Sequence, residues 1–201
     1  MEKEIAEVCG GATTLFADFG AEVTDEIPDF TGVLEAFQTL RAVLFATMME
    51  PILQQHRNKI APEIIGNIER GLNIKPSQIF EAERIRIELF KKILLFFETH
   101  DFLICPAASI APFPVDQRYV TEIDGKPCET YIDWFSITFA LTMTACPTIS
   151  VPCGFTSEGL PVGIQIMGKP RGEAALLLVA KQFEKAIGIA AQLPIAPRKG
   201  I

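Results

Sequence analysis

Histidine, tryptophan and serine are scarce in this 201-residue chain, and the shortage excludes several chemistries at once. His56 and His100 are the two histidines. They stand far apart without ligand spacing, so neither a zinc site nor any other metal centre is expected. The five cysteines, Cys9, Cys105, Cys128, Cys146 and Cys153, form no CxxC pair and are odd in number. That pattern fits reduced thiols in a cytoplasmic protein better than a disulfide framework. Basic runs are absent and the net charge is −7, so nucleic acid is not an expected partner. No apolar run is long enough to span a bilayer, and MEKEIAEVCGG is too polar for a signal peptide. A membrane role is therefore not expected either, and nothing in the chain calls for a cofactor.

What is present is a globular composition, 49% apolar and 21% charged. The length suits one domain over residues 1–201. Helical periodicity predicts a helix from about Glu2 to Phe19, stopped by Gly20. Ala21–Ile27 then reads as a short strand, ended by Pro28. A long helix is predicted from the N-cap Thr31 to about Arg57, with Leu34, Phe37, Leu40, Val43, Leu44 and Met48 inward and Pro51 kinking or ending it. Pro62–Leu72 is a shorter helix. Gln78–Thr99 follows, capped by Ser77, with Ile79, Ala82, Ile85, Leu89, Ile93 and Phe96 at helical spacing. Its second half is apolar over more than one face, which calls for burial on two sides or for a partner, self-association included.

Asp101–Cys105 is the next strand. Ala107–Pro127 is a loop long enough to draw attention as a site, because loops of that length in compact domains are often functional. Glu129–Thr144 reads as an apolar helix carrying Tyr131, Trp134, Phe135 and Phe139. Two apolar strands follow, Thr148–Phe155 and Val162–Gly168, with both faces expected to be covered. Gly172–Gly188 is the last helix, with Leu176, Leu177, Ala180 and Phe183 inward. The tail Ile189–Ile201 reads as a surface wrap. The expected class is α/β: a partial mixed β-sheet of about four strands, flanked by helices, with at least one unprotected edge.

Two words in this last region are specific. Cys146-Pro147-Thr148-Ile149-Ser150-Val151-Pro152-Cys153-Gly154-Phe155 and Gly159-Leu160-Pro161-Val162-Gly163-Ile164-Gln165-Ile166-Met167-Gly168 stand in order and close together. They resemble the C-terminal part of amidase-signature hydrolases, as do Pro170, Glu173 and Leu176–Leu178 after them. The resemblance implies the C-terminal part of that family's α/β/α sandwich. It also implies a parent activity, hydrolysis of carboxamide C–N bonds. Such enzymes use a serine nucleophile, a second serine on a cis peptide bond and a lysine base, with backbone N–H groups of a Gly/Ser-rich loop holding the oxyanion.

Those parts belong to a segment that the matched words do not include. Gly10-Gly11 is flanked by Cys9 and Ala12, and Ser77, Ser109, Ser136, Ser150 and Ser157 are scattered. No catalytic residue is carried over. The expectation is a truncated or split product, inactive alone, with the catalytic half absent. What carries over is a substrate wall: Asp133, Trp134, Phe135, Thr138, Thr142 and Cys146. Many relatives have asparagine at Thr142 and glycine at Ala145. The apolar members of the wall imply an uncharged, aromatic-tolerant amide substrate. A degenerate remnant, or a subunit complementing a separate catalytic half, is the alternative. A thiol enzyme built on Cys153 or Cys105, with His100 as base, is a weaker one.

Overall fold

A computed structural model of the chain describes residues 1–189. The element order is α1 (Lys3–Asp18), α2 (Val33–His56), α3 (Pro62–Leu72), α4 (Pro76–Thr99), β1 (Phe102–Pro106), β2 (Glu122–Ile123), β3 (Lys126–Pro127), α5 (Ser136–Thr142), β4 (Thr148–Phe155), β5 (Pro161–Gly168) and α6 (Glu173–Ile187). The expected surface wrap at Ile189–Ile201 lies almost wholly outside the described residues. The chain divides into two compact units. Among the described residues, one holds 1–26, 100–137 and 146–189, and the other holds 27–99 and 138–145.

The first unit is built on a three-stranded sheet in the order β1-β5-β4, paired antiparallel throughout. β5 is central and buried along nearly its whole length, as its unbroken apolar run requires. β4 is an outer strand and alternates. Val151 and Cys153 are buried, whereas Thr148, Ser150 and Pro152 are exposed. The expectation that both faces of β4 are covered is thus corrected: among the described residues, helices close over the face that carries Val151 and Cys153 and leave the other open. On the covered face, Ile5, Cys9, Ala12 and Phe16 of α1 and Leu176, Ala180 and Phe183 of α6 close over Val151, Val162, Ile164 and Ile166. Phe16 stacks on Phe183 at 5.1 Å between ring centroids.

Ala21–Ile27 forms no strand; every residue of it is exposed. AEVTDEI carries three carboxylates in seven positions, a composition that disfavours burial in a sheet, and among the described residues its backbone pairs with no strand. The sheet accordingly has three strands rather than about four. The long loop is interrupted by the small β2–β3 hairpin, turned at Asp124-Gly125 with both residues at positive φ. The expected helix Glu129–Thr144 shrinks to a single 3-10 turn, Asp133–Phe135, and α5.

The second unit packs α2 against α3 and α4. α2 runs through Pro51 to His56, and its N-cap is Gly32 rather than Thr31. Its buried side matches the expected one only in part: Phe37, Leu40 and Val43 are half-buried, and Phe37 stacks on Phe139 at 4.1 Å. Val33, Ala36, Gln38, Thr39, Ala42 and Ala46 are buried, whereas Leu34, Leu44 and Met48 are exposed. Small residues win because α3 comes very close: a Cβ on Gly71 would lie 2.0 Å from the Ala42 carbonyl oxygen. Larger side chains cannot enter that seam, so they turn outward. α4 begins at Pro76, buries Ala82, Leu89, Ile93 and Phe97, and leaves Ile87, Leu94 and Leu95 exposed. Two-faced apolar character read from its sequence therefore persists as an exposed apolar side.

Candidate functional site

In the first unit a cleft of about 690 Å³ opens where β1 ends, β5 begins and β4 passes its midpoint. Its floor is backbone and small side chains. Ala107 N–H donates to the Gly163 carbonyl at 2.8 Å, which carries the chain from β1 directly across β5. Ala108, Ile110, Ala111, Pro112 and Phe113 of the loop line it, together with Ser150, Val151 and Pro152 of β4. Trp134 and Ile5 complete the lining. Ser150 is the single hydroxyl in that lining, which contains no charged side chain.

The lining is pinned by local polar devices. Glu2 holds the loop twice: its N–H donates to the Ser109 carbonyl at 2.8 Å, and its carboxylate accepts from Ala111 N–H at 2.8 Å. The carboxylate of Glu4 accepts from Ser157 N–H at 2.6 Å and so fixes the β4–β5 turn. That hydrogen bond holds the Glu4 carboxyl below its usual range. Asp133 accepts from the N–H groups of Glu129 and Thr130, each at 2.8 Å, and from the Thr130 hydroxyl. This staple starts the 3-10 turn that aims the next residue, Trp134. The indole N–H of Trp134 donates to the Tyr131 carbonyl at 3.1 Å. Phe113 and Phe135 meet its ring edge to face, with centroids 5.4 and 4.8 Å away.

Among the six residues expected to form a substrate wall, Trp134 lies in the cleft lining. Asp133 and Phe135 flank it on the same turn. Cys146 belongs to the same unit and precedes β4, where its carbonyl accepts from the Thr148 hydroxyl at 3.4 Å. Thr138 and Thr142 fall in the other unit, on α5, and the Thr142 hydroxyl donates to the Thr138 carbonyl at 3.3 Å. The sequence does not mark Ile5, Phe113 or Pro152 as site residues. The length of the loop after β1 does signal Phe113's neighbourhood. No local pattern marks Ile5, which the fold brings in from the opposite end of the chain.

The cysteines are dispersed. Cys9 and Cys153 are buried, with their Sγ atoms 3.9 Å apart. Burial pushes the Cys105 thiol up to about 12. His100 lies beside the Thr24 hydroxyl at 3.3 Å and the Glu26 carboxylate at 3.7 Å. It lies two residues before Phe102, the start of β1, which is in register with Gly168 at one end of β5. Cys153 lies by the Gly163 end. At ~3.3 Å per residue, roughly 15 Å of strand separates the two ends, so His100 cannot act as base for Cys153. Among the described residues no cluster of three or more metal-ligating side chains occurs, and no helix is long and apolar enough to cross a membrane.

The Amidase family profile matches residues 11–177, which include most of the sheet and the cleft walls. The chain belongs to the amidase family. An acylamidase of Rhodococcus erythropolis is 26% identical over 187 residues, spanning 92% of this chain and 39% of that protein. A glutamyl-tRNA(Gln) amidotransferase component from Synechococcus is 28% identical over 192 residues, spanning 93% of this chain and 37% of its own. A bacterial aryl acylamidase of the amidase signature enzymes superposes with a TM-score of 0.80 at 23% identity, over 96% of this chain and 44% of the other. This amidase-family chain thus spans less than half the length of the relatives it matches.

Proposed function

We propose that the chain supplies the substrate-facing wall of an amide hydrolase, and that the groups breaking the C–N bond come from polypeptide other than these 201 residues. The observation that carries this reading is the cleft itself. It is apolar and uncharged, it is walled by Trp134 edge to face on Phe113, and it is built from the stretches that match the family. Such a surface takes the uncharged acyl or aryl part of an amide and offers nothing to hold a charged one. Ser150 is a hydroxyl at the cleft without a base among the lining residues, so it hydrogen-bonds but is not activated. Asp133 acts indirectly, by holding the turn that places Trp134.

The outer edges of β1 and β4 support the second half of the proposal. Neither pairs with another strand among the described residues, and an uncovered edge is a place where a further strand adds. The catalytic portion docks there, whether joined to this chain or separate from it.

Trp134 is the sole tryptophan, so intrinsic fluorescence reports on the cleft directly. An anilide titrated into the purified chain is expected to change that fluorescence saturably, while ammonia and aniline release stay at the buffer level. Release that disappears when one serine or cysteine is replaced would overturn the proposal. So would an unchanged spectrum across neutral aliphatic and aromatic amides.

A further inference from the structure

The proposed function uses neither Cys9 nor Cys153, yet the fold places their sulfur atoms side by side across 144 residues of sequence. Both are buried, at 4% and 3% exposure. We propose that Cys9 and Cys153 form a reversible disulfide when the chain meets a peroxide, locking α1 onto β4 beside the cleft.

Three features favour this pair. The Sγ–Sγ separation is 3.9 Å, so side-chain rotation and a small approach of α1 bring the atoms to the ~2.05 Å of a disulfide. Backbone contact makes the approach specific: Gly154 lets Val8 pack against β4, where a Cβ would lie 2.7 Å from Val8 Cγ1. Position beside the cleft is the third: Cys9 is one helical turn after Ile5 and Cys153 is two residues along β4 from Val151, on the same face of the strand, and both Ile5 and Val151 line the cleft. The remaining thiols are placed differently. Cys105 stands on the other sheet face from the Ile104 side chain and accepts from Gln165 Nε2 at 3.6 Å. Cys128 and Cys146 are half-exposed.

The chemistry balances. The two thiols share a hydrogen bond, through which Cys9 lies below its usual range and Cys153 above it, and the Cys9 thiol also lies 3.7 Å from the Gly163 carbonyl, to which it donates. Cys9 is the nucleophile once its thiol proton has passed to solvent. It attacks one oxygen of hydrogen peroxide; the O–O bond breaks, hydroxide leaves and takes a proton, and Cys9 becomes a sulfenic acid. Cys153 sulfur then attacks the Cys9 sulfur. The S–S bond forms, the S–O bond breaks, and the departing hydroxide takes the Cys153 proton. Two thiols and one peroxide give one disulfide and two waters. A dithiol reverses the step by exchange.

The test uses the wild-type chain. Native protein is treated with hydrogen peroxide, its free thiols are alkylated, and the digest is mapped by mass spectrometry. One cross-linked pair is expected, the Cys9 peptide joined to the Cys153 peptide with loss of two hydrogens and released by dithiothreitol. The oxidised form is expected to melt higher than the reduced form, because the link closes a long loop. Gly154→Val, which pushes α1 away, is expected to cut the yield of the cross-link at least tenfold. Two results would overturn the proposal. One is a native protein oxidised at Cys128 or Cys146 while Cys9 and Cys153 remain unlinked; the other is a Cys9–Cys153 link that forms equally in the urea-unfolded chain.

Discussion

Ala145 stands in the left-handed region at φ +56°, a conformation that costs a residue with a Cβ ~1–2 kcal/mol. The family resemblance implies glycine at this position, and the positive φ gives a physical reason to expect it. Ala145→Gly is expected to stabilise the chain by about 0.5–1 kcal/mol, the relief of strain less the extra freedom glycine has when unfolded. Urea denaturation checks the sign, and a destabilised variant would mean that the alanine methyl packs more than its backbone strains. Asp133 illustrates the opposite relation between residue and role. The family resemblance implies a substrate contact at this position. Folded, it accepts two backbone N–H groups and a hydroxyl and so closes the turn before Trp134.

Elements are legible where one periodicity and one partner suffice. α1 buries Ile5, Cys9, Ala12 and Phe16, a stripe at helical spacing, and its expected span holds to within a residue at each end. β4 has the bounds read from sequence, and β5 starts one residue earlier, at Pro161. α6 is closed by Gly172 and Gly188 as expected, although Leu177 faces out at 59% exposure. Phe183 is fully buried at the meeting of α6, α1 and the sheet, and Phe183→Ala is expected to cost about 3–5 kcal/mol. A fall of less than about 1 kcal/mol in urea unfolding would show that this layer is loosely packed. α2 goes the other way. Its sequence offers two apolar stripes, one of bulky and one of small residues, and periodicity alone favours the bulky one. Close approach at Gly71 selects the small one.

At the scale of the molecule, each unit carries an exposed carboxylate held in its charged form. Glu4 pins the β4–β5 turn through Ser157, and Asp29 accepts from Lys92 Nζ at 2.6 Å and from Thr31 N–H at 2.9 Å. Both lie below their ordinary values of 4.5 and 3.8, chiefly through these hydrogen bonds. A lowered folded-state pKa contributes stability that is fully present above the unfolded value and is lost as pH falls through the folded one. The urea midpoint is therefore expected to be level from about pH 7 to 5 and to decline below about pH 4. Asp29→Asn is expected to make that decline shallower; an unchanged slope would show that the Lys92 pair contributes nothing measurable.

The amino-acid sequence by itself determined the family, the α/β class, the strand pair β4–β5 and the helices that cover one face. Those features follow from short-range chemistry: β-branched runs, glycine stops and helical spacing, which need no distant partner to be read. Only the tertiary structure decided that β5 is central and β4 outer, that Ala21–Ile27 stays out of the sheet, and that Ile5 and Phe113 wall one cleft. It alone set Cys9 beside Cys153. These outcomes depend on which segments meet across more than a hundred residues, and burial, not local propensity, settles that choice.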